Sequence, residues 1–425
     1  MPGQADYSRP PDGYEPVFIN YVGRHGARSQ TSTMGDSILF TFLELAEKEN
    51  GLSLQGKQLK LMDSLLMGIQ KENVASITEL GQEEQQGIGF RMKKNFKSVF
   101  ESGKGFIQVS TTKKERTRQS ARAFLQGLQA DSSMIHFNLK DSDNLAFYDI
   151  SPAYKAFKRN GNWKDAYAKV RSSEPVKLLI EKLPGQFLEG QFLTSFLADS
   201  VHLTGEDDQP FNAEALEGSV FDICSIIPSL TYEIKKAGIH KEDMDYSRLV
   251  SCSDLNQMTF INSAEDFLLK GPGTNTEGIQ LRIAIPLLVS FIRATDDFID
   301  SGKVYANLRF AHAETIAPFA ALLGISGASE AINPNQIQSF DKIWKCENII
   351  PLSANIQWIL YKNPVGKYLV KIMLNERESK INGLQPTANT YYYNWQDLRK
   401  YYLDKLQKMN AGLYDNMHDY LMKVN

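Results

Sequence analysis

Apolar residues along this chain fall into two patterns. Short β-rich runs are bounded by glycine or polar loops, and longer stretches repeat apolar positions at helical spacing. Residues 16–22 (PVFINYV), ending at Gly23, predict a buried strand followed by a loop. Residues 105–112 (GFIQVSTT), 305–311 and 367–374 (KYLVKIML) predict three more strands. Helical spacing covers residues 36–50, with Asp36 as the expected N-cap and Gly51 just past the end. It returns from Thr78 to about Phe100, over residues 114–129 and over 316–324. Strand–loop–helix alternation of this kind predicts an α/β fold, a sheet flanked by helices on both faces. Between about residues 140 and 250 the pattern changes to helical stretches (163–170, 175–183, 221–237) with few strand signals. The expected organisation is therefore a core of residues 1–139 and 251–425 with an α-helical insert at 140–250.

Composition narrows the function classes. The longest apolar runs, such as residues 283–292, are cut by Pro286 or end in charge, so none reaches the roughly 18 residues of a membrane span. The net charge of −3 gives no global basic field for nucleic acid. An anionic ligand has to be attracted by a local cluster of Lys and Arg. The three cysteines, Cys224, Cys252 and Cys346, form no metal-binding or disulfide pattern. Residues 1–6 lack the basic and apolar segments of a secretion signal.

α/β sheets bind ligands beyond the carboxyl ends of their strands, and three polar segments are expected there. The first is GRHGAR at 23–28. Gly23 and Gly26 carry no Cβ and so allow close backbone approach to a ligand. Arg24 and Arg28, four residues apart, point to one side if the loop makes a helical turn. Guanidinium groups bind phosphate oxygens bidentately, and a neutral His25 between them is suited to attack phosphorus in line. The second segment, STTKKERTRQSA at 110–121, passes from strand to helix. There Lys113, Lys114 and Arg118 read equally well as a solvated basic face. The third, RFAHAET at 309–315, closes an apolar strand with His312 and places Glu314 before an apolar helix. A histidine donates to a phosphate oxygen and a protonated carboxyl protonates a departing alkoxide. Alone, such a pair reads better as a helix cap and a structural histidine. His136, His202, His240 and His418 have no partner spacing, and the acidic pairs at 206–208 and 296–297 resemble solvated surface. No cofactor or metal is called for.

The three segments together resemble the histidine acid phosphatases, the second branch of the histidine phosphatase superfamily. The HAE form of the third motif resembles the subgroup of inositol polyphosphate phosphatases. Weaker similarity runs through residues 254–273 and through Leu374-Asn-Glu376. The resemblance implies a phosphoglycerate-mutase-like core with the helical insert covering the substrate site. It also implies His25 as nucleophile, Arg24, Arg28, Arg116 and His312 around the scissile phosphate, and Glu314 as proton donor. The implied substrate is an inositol polyphosphate, phytate above all. The implied location is outside the cytoplasm. Further phosphates need further contacts, for which Thr315, Lys155, Arg159, Glu265 and Lys270 are candidates, with Lys158 and Lys164 beside them. Two departures stand out. Gln30 replaces the usual loop proline, which is expected to loosen the loop, and Ala313 stands where the wider family has an Asp acid. A smaller phosphomonoester, such as a sugar phosphate or bisphosphoglycerate, fits the same three segments. A non-catalytic inositol-phosphate binder lacks the histidine or the acid, and both are present here.

Overall fold

The structure, a computed structural model, describes residues 7–30, 34–71, 73–101, 105–138, 142–203, 210–387 and 390–425. Residues 34–37 are described by their backbone alone, and residues 1–6 and 206–208 lie outside the described residues.

Eight strands make one mixed sheet. They are β1 (Glu15–Arg24), β2 (Phe106–Thr111), β3 (Ile135–Phe137), β4 (Val304–Ala311), β5 (Asn355–Lys362), β6 (Tyr368–Leu374), β7 (Arg377–Glu378) and β8 (Tyr392–Asn394). The order is β3-β2-β4-β1-β5-β6-β7, with β8 pairing β6. β1, β4, β2 and β3 are mutually parallel, whereas β5 runs antiparallel to β1. The continuous apolar run of β1 reflects burial on both faces. On one face Tyr21 packs against Phe124 of helix Glu115–Leu128, ring centroids 5.0 Å apart. On the other, Phe18 stacks on Phe298 of helix Ile285–Ser301, also at 5.0 Å. The polar exception in β1, Asn20, is buried. Its amide donates to the Phe291 carbonyl at 2.9 Å, and its oxygen accepts from the buried Arg309 at 2.5 Å.

The expected strands and helices recur within a few residues, and the differences have physical causes. The helix expected from Asp36 already starts at Met34, so Asp36 lies inside it. Gly51 lies past its end, and Asn50 is the left-handed residue there, with φ 52°. The KYLVKIML segment does not follow a crossover helix but returns antiparallel to β5. Leu374 ends β6, and Asn375 and Glu376 form its turn in the left-handed region, φ 51° and 60°. Glu376 then takes a bidentate ion pair from Arg91, with Nη2 at 2.6 Å.

The chain forms two compact units, one of residues 1–26, 82–167 and 265–425, the other of 27–81 and 168–264. The first contains the whole sheet. The second is helical, and its core includes Phe42 in ring contact with Phe192, Phe196 and Phe211 at 5.7, 5.0 and 4.7 Å. These bounds differ from a simple 140–250 insert. Residues 27–81 join the helical unit through contacts such as Leu52 bridging Leu188, while residues 142–167 pack with the sheet.

Candidate active site

Registers between the parallel strands decide where their loops emerge. Arg24 lies opposite Ala311, and Thr111 lies opposite Phe310. β1, β4 and β2 therefore end together, and Arg24–His25, His312 and Thr112–Arg116 leave the sheet from one edge. This is the carboxyl edge at which open α/β sheets place ligands.

His25 is fixed through its backbone. Its N–H donates to the Ala311 carbonyl at 3.0 Å, and its carbonyl accepts from Ser353 N–H at 3.0 Å. The ring is 3% exposed, and Nδ1 lies 3.0 Å from the Gly26 carbonyl. A carbonyl only accepts, so Nδ1 carries the proton and the lone pair of the neutral ring sits on Nε2. Gly26 N–H donates to Ser120 Oγ at 3.1 Å, and Ser120 Oγ donates to the Arg116 carbonyl at 2.7 Å. That chain of bonds ties the histidine loop to the first turn of helix Glu115–Leu128. Gly23 plays a different part from the one expected. A Cβ there meets the Tyr21 hydroxyl at 2.2 Å, so its bare backbone makes room for a core side chain rather than a ligand.

His312 is the N-cap residue of helix Ala313–Leu323, its ring centroid 5.5 Å from that of His25. Its Nε2 lies 2.9 Å from Thr112 Oγ1, which in turn lies 3.0 Å from Thr117 Oγ1. Tyr148 meets the ring edge-on at 6.1 Å. Burial, with the nearby Arg116 and Arg24, pushes His312 down to about 3, so the ligand-free protein holds it neutral. Its Nδ1 is buried with no hydrogen-bond partner, and so are the Nε atoms of Arg24 and Arg116. Buried donors of this kind are rarely left unpaired. Arg24 is otherwise held in place, its Nη1 donating to the Ile350 carbonyl and its carbonyl accepting from Gln85 at 3.0 Å.

Glu314 lies in the first turn of the same helix, 37% exposed, with Lys270 Nζ at 3.4 Å. Burial alone raises its carboxyl. Lys270, the helix's own backbone, His312 and Arg24 override that and hold it at about 2. Lys270 also pairs with Asp266 at 2.7 Å, and the two carboxylates hold its ammonium above the ordinary lysine range against burial. Of the residues expected to act, Glu314 is thus an anion in the ligand-free protein.

Other expected residues lie as follows. Arg28 belongs to the helical unit; its Nη1 donates to the Ser29 carbonyl at 2.8 Å, and it bridges Ile77 in place of the anticipated helical turn. Gln30 does not loosen the loop. Its N–H donates to Gln70 Oε1 at 2.6 Å and its carbonyl accepts from Ala75 at 2.7 Å. Thr315 is fully buried, its hydroxyl donating to the Leu145 carbonyl at 2.7 Å, which makes it a positioning residue. Lys155, Lys158 and Arg159 are exposed on helix Pro152–Asn160, as is Lys164 beyond it. Of the neighbours Glu265 and Asp266 it is Asp266 that pairs with Lys270; Glu265 is half-buried. Lys113, Lys114 and Arg118 are exposed, and Arg118 pairs with Glu115. Asp296 is not simply solvated, since it pairs with Arg399 at 3.0 Å. Thr112, Ser120, Tyr148 and Asp266 escaped the sequence reading. Only Asp266 left a signal, its spacing of four from Lys270 on a helix. Among the described residues no cluster of three or more His, Cys, Asp or Glu side chains suits a metal ion, and no helix is long and apolar enough to cross a membrane.

A family model for the histidine phosphatase superfamily, branch 2, matches residues 17–375. The chain belongs to that superfamily. Among curated proteins it is similar to multiple inositol polyphosphate phosphatase 1 of Gallus gallus, 23% identical over 354 residues, covering 79% of this chain and 71% of that one. Among solved structures it resembles the Bifidobacterium longum multiple inositol polyphosphate phosphatase in complex with inositol hexasulfate. That match has a TM-score of 0.80 at 21% identity and covers 93% of each chain. The phytase from D. castellii matches with a TM-score of 0.67 at 15% identity, over 99% of this chain and 87% of that one. The mixed sheet flanked by helices is thus the fold of this superfamily.

Proposed function

We propose that this superfamily member is a metal-independent phosphomonoesterase acting on inositol polyphosphates through a phosphohistidine. The observation that carries the reading is the convergence of three buried, unpartnered nitrogens (Arg24 Nε, Arg116 Nε and His312 Nδ1) at the strand edge that bears His25. Such a set matches a tetrahedral oxyanion. Thr112 occupies His312 Nε2, so Nδ1 is the ring nitrogen left to meet the anion, as a donor once it carries a proton. Arg28 enters on its motif position alone.

In the first step His25 Nε2 attacks phosphorus, the N–P bond forms and the bond to the inositol oxygen breaks. Glu314 gives that oxygen its proton. Water then attacks phosphorus with Glu314 as base, the N–P bond breaks, and phosphate leaves with His25 restored. The similarity to enzymes named for inositol polyphosphates and phytate supports this substrate class over a small sugar phosphate. Lys155, Arg159 and Lys270 serve its outer phosphates in this reading, and the same likeness supports a location outside the cytoplasm.

The test is phosphate release from phytate, glucose 1-phosphate and bisphosphoglycerate, each with and without a chelator. Phytate is expected to be the best substrate, with no loss on chelation. A clear preference for either small ester would move the substrate class, and loss on chelation with return on adding a divalent metal would end the metal-free mechanism.

A further inference from the structure

The proposed acid is held as an anion in the free enzyme, and among the groups that hold it there against burial Lys270 is the foremost. Lys270 Nζ bridges Asp266 at 2.7 Å and Glu314 at 3.4 Å, its side chain only 19% exposed. Asp266 is itself anchored, since Cys346 Sγ lies 3.6 Å from its Oδ2. The other charged and titratable groups around Glu314 are His312, Arg24, Arg116, Tyr148 and Tyr154. The cations among them are the proposed ligands of the scissile phosphate, whereas Lys270 pairs, among the described residues, with carboxylates. Both tyrosines are held neutral, chiefly by burial.

We propose that Lys270 is a substrate-sensing residue: a second phosphate on the substrate draws its ammonium away from Glu314, and Glu314 then takes up the proton it delivers to the leaving oxygen. The inference rests on the function proposed above and adds a cause of specificity to it. For an ammonium already shared with Asp266, a phosphate ester is a stronger second partner than a carboxylate, because it carries more charge. Its own negative charge acts on Glu314 in the same direction. A monoester fills only the scissile position and leaves the Lys270–Glu314 pair in place. Proton delivery is then efficient for a polyphosphate and poor for a monophosphate, even when both bind. Lys270 is thereby a positioning and specificity residue, distinct from the catalytic pair His25 and Glu314.

Lys270→Gln keeps a hydrogen bond to Asp266 but removes the charge, and Lys270→Arg keeps the charge. The kcat ratio of phytate to glucose 1-phosphate is expected to fall about tenfold in Lys270→Gln, as for a one-unit change in the acid, mainly through faster turnover of the monoester. The alkaline limb of its kcat on the monoester should move to higher pH, and Lys270→Arg should restore both. An unchanged ratio and an unmoved limb in Lys270→Gln overturn the proposal while leaving the phosphatase reading intact.

A binding measurement separates the two if turnover fails. Calorimetry of inositol hexasulfate and of inorganic sulfate, in buffers of different ionisation enthalpy, reports protons taken up. Uptake lost on Glu314→Gln is Glu314's share. It is expected to be larger for the hexasulfate in the wild type and equal for the two ligands in Lys270→Gln. Equal shares in the wild type sink the inference.

Discussion

At the scale of single residues, His25 and Glu314 have separable tasks. His25→Ala removes the attacking nitrogen but leaves Arg24, Arg116 and His312, so turnover should vanish while sulfate or phosphate still binds. Rapid quenching under alkaline conditions, where phosphohistidine survives, should trap label on the wild type and none on the variant. Activity in the variant would end the phosphohistidine mechanism. Glu314→Gln keeps shape and hydrogen bonding but no transferable proton. Its loss should be large on inositol phosphates, roughly the factor of 10²–10⁴ typical of a general acid. It should be small on p-nitrophenyl phosphate, whose phenolate leaves without help. Equal losses on both substrates would make Glu314 a phosphate-positioning group. With Glu314 held at about 2 in the free enzyme, an alkaline limb above pH 4 belongs to kcat, which reports the complex.

At the scale of elements, the legible parts of the sequence were those whose side chains announce one environment. The run of β1 is apolar because both its faces are covered, and the GRHGAR, ERTRQSA and HAE segments follow strands that end together. What sequence could not show was register. Nothing local says that Thr112 lies 2.9 Å from the ring of a histidine 200 positions away, or that β6 returns antiparallel. The turn at Gln30 teaches the same lesson in the opposite direction. Read against its family the missing proline suggests a looser loop, yet Gln30 N–H donates to the fully buried Gln70. Gln30→Pro deletes that donor and leaves a buried amide oxygen unpaired, which costs about 1–3 kcal/mol. A lower melting temperature should result despite the stiffer backbone. A higher one would show that entropy of the unfolded chain outweighs the bond.

At the scale of the whole molecule, the chain's small net charge conceals a site in which positive charge is concentrated and waiting for an anion. That arrangement has a consequence for stability. His312 is depressed from 6.5 to about 3 by burial, Arg116 and Arg24, so between those values the unfolded chain binds a proton that the folded one refuses. Glu314 behaves alike between 4.5 and about 2, because Lys270 and the helix outweigh its burial. In both windows the unfolded state holds more protons, and stability rises with pH. The free protein should therefore lose stability as pH falls from about 6.5, first through His312 and, below about 4.5, through Glu314 as well. An anion in the site reverses the electrostatic cause, since negative charge beside His312 raises its affinity for a proton. Calorimetric melts in sulfate- and phosphate-free buffer should show the melting temperature falling from pH 7 to pH 4. Inositol hexasulfate should stabilise the protein more at pH 4 than at pH 7. His312→Asn removes the larger titration and should flatten the fall. A pH-independent melting temperature, or a ligand effect that shrinks on acidification, would mean that the cations at the strand ends are already neutralised by groups of the protein itself.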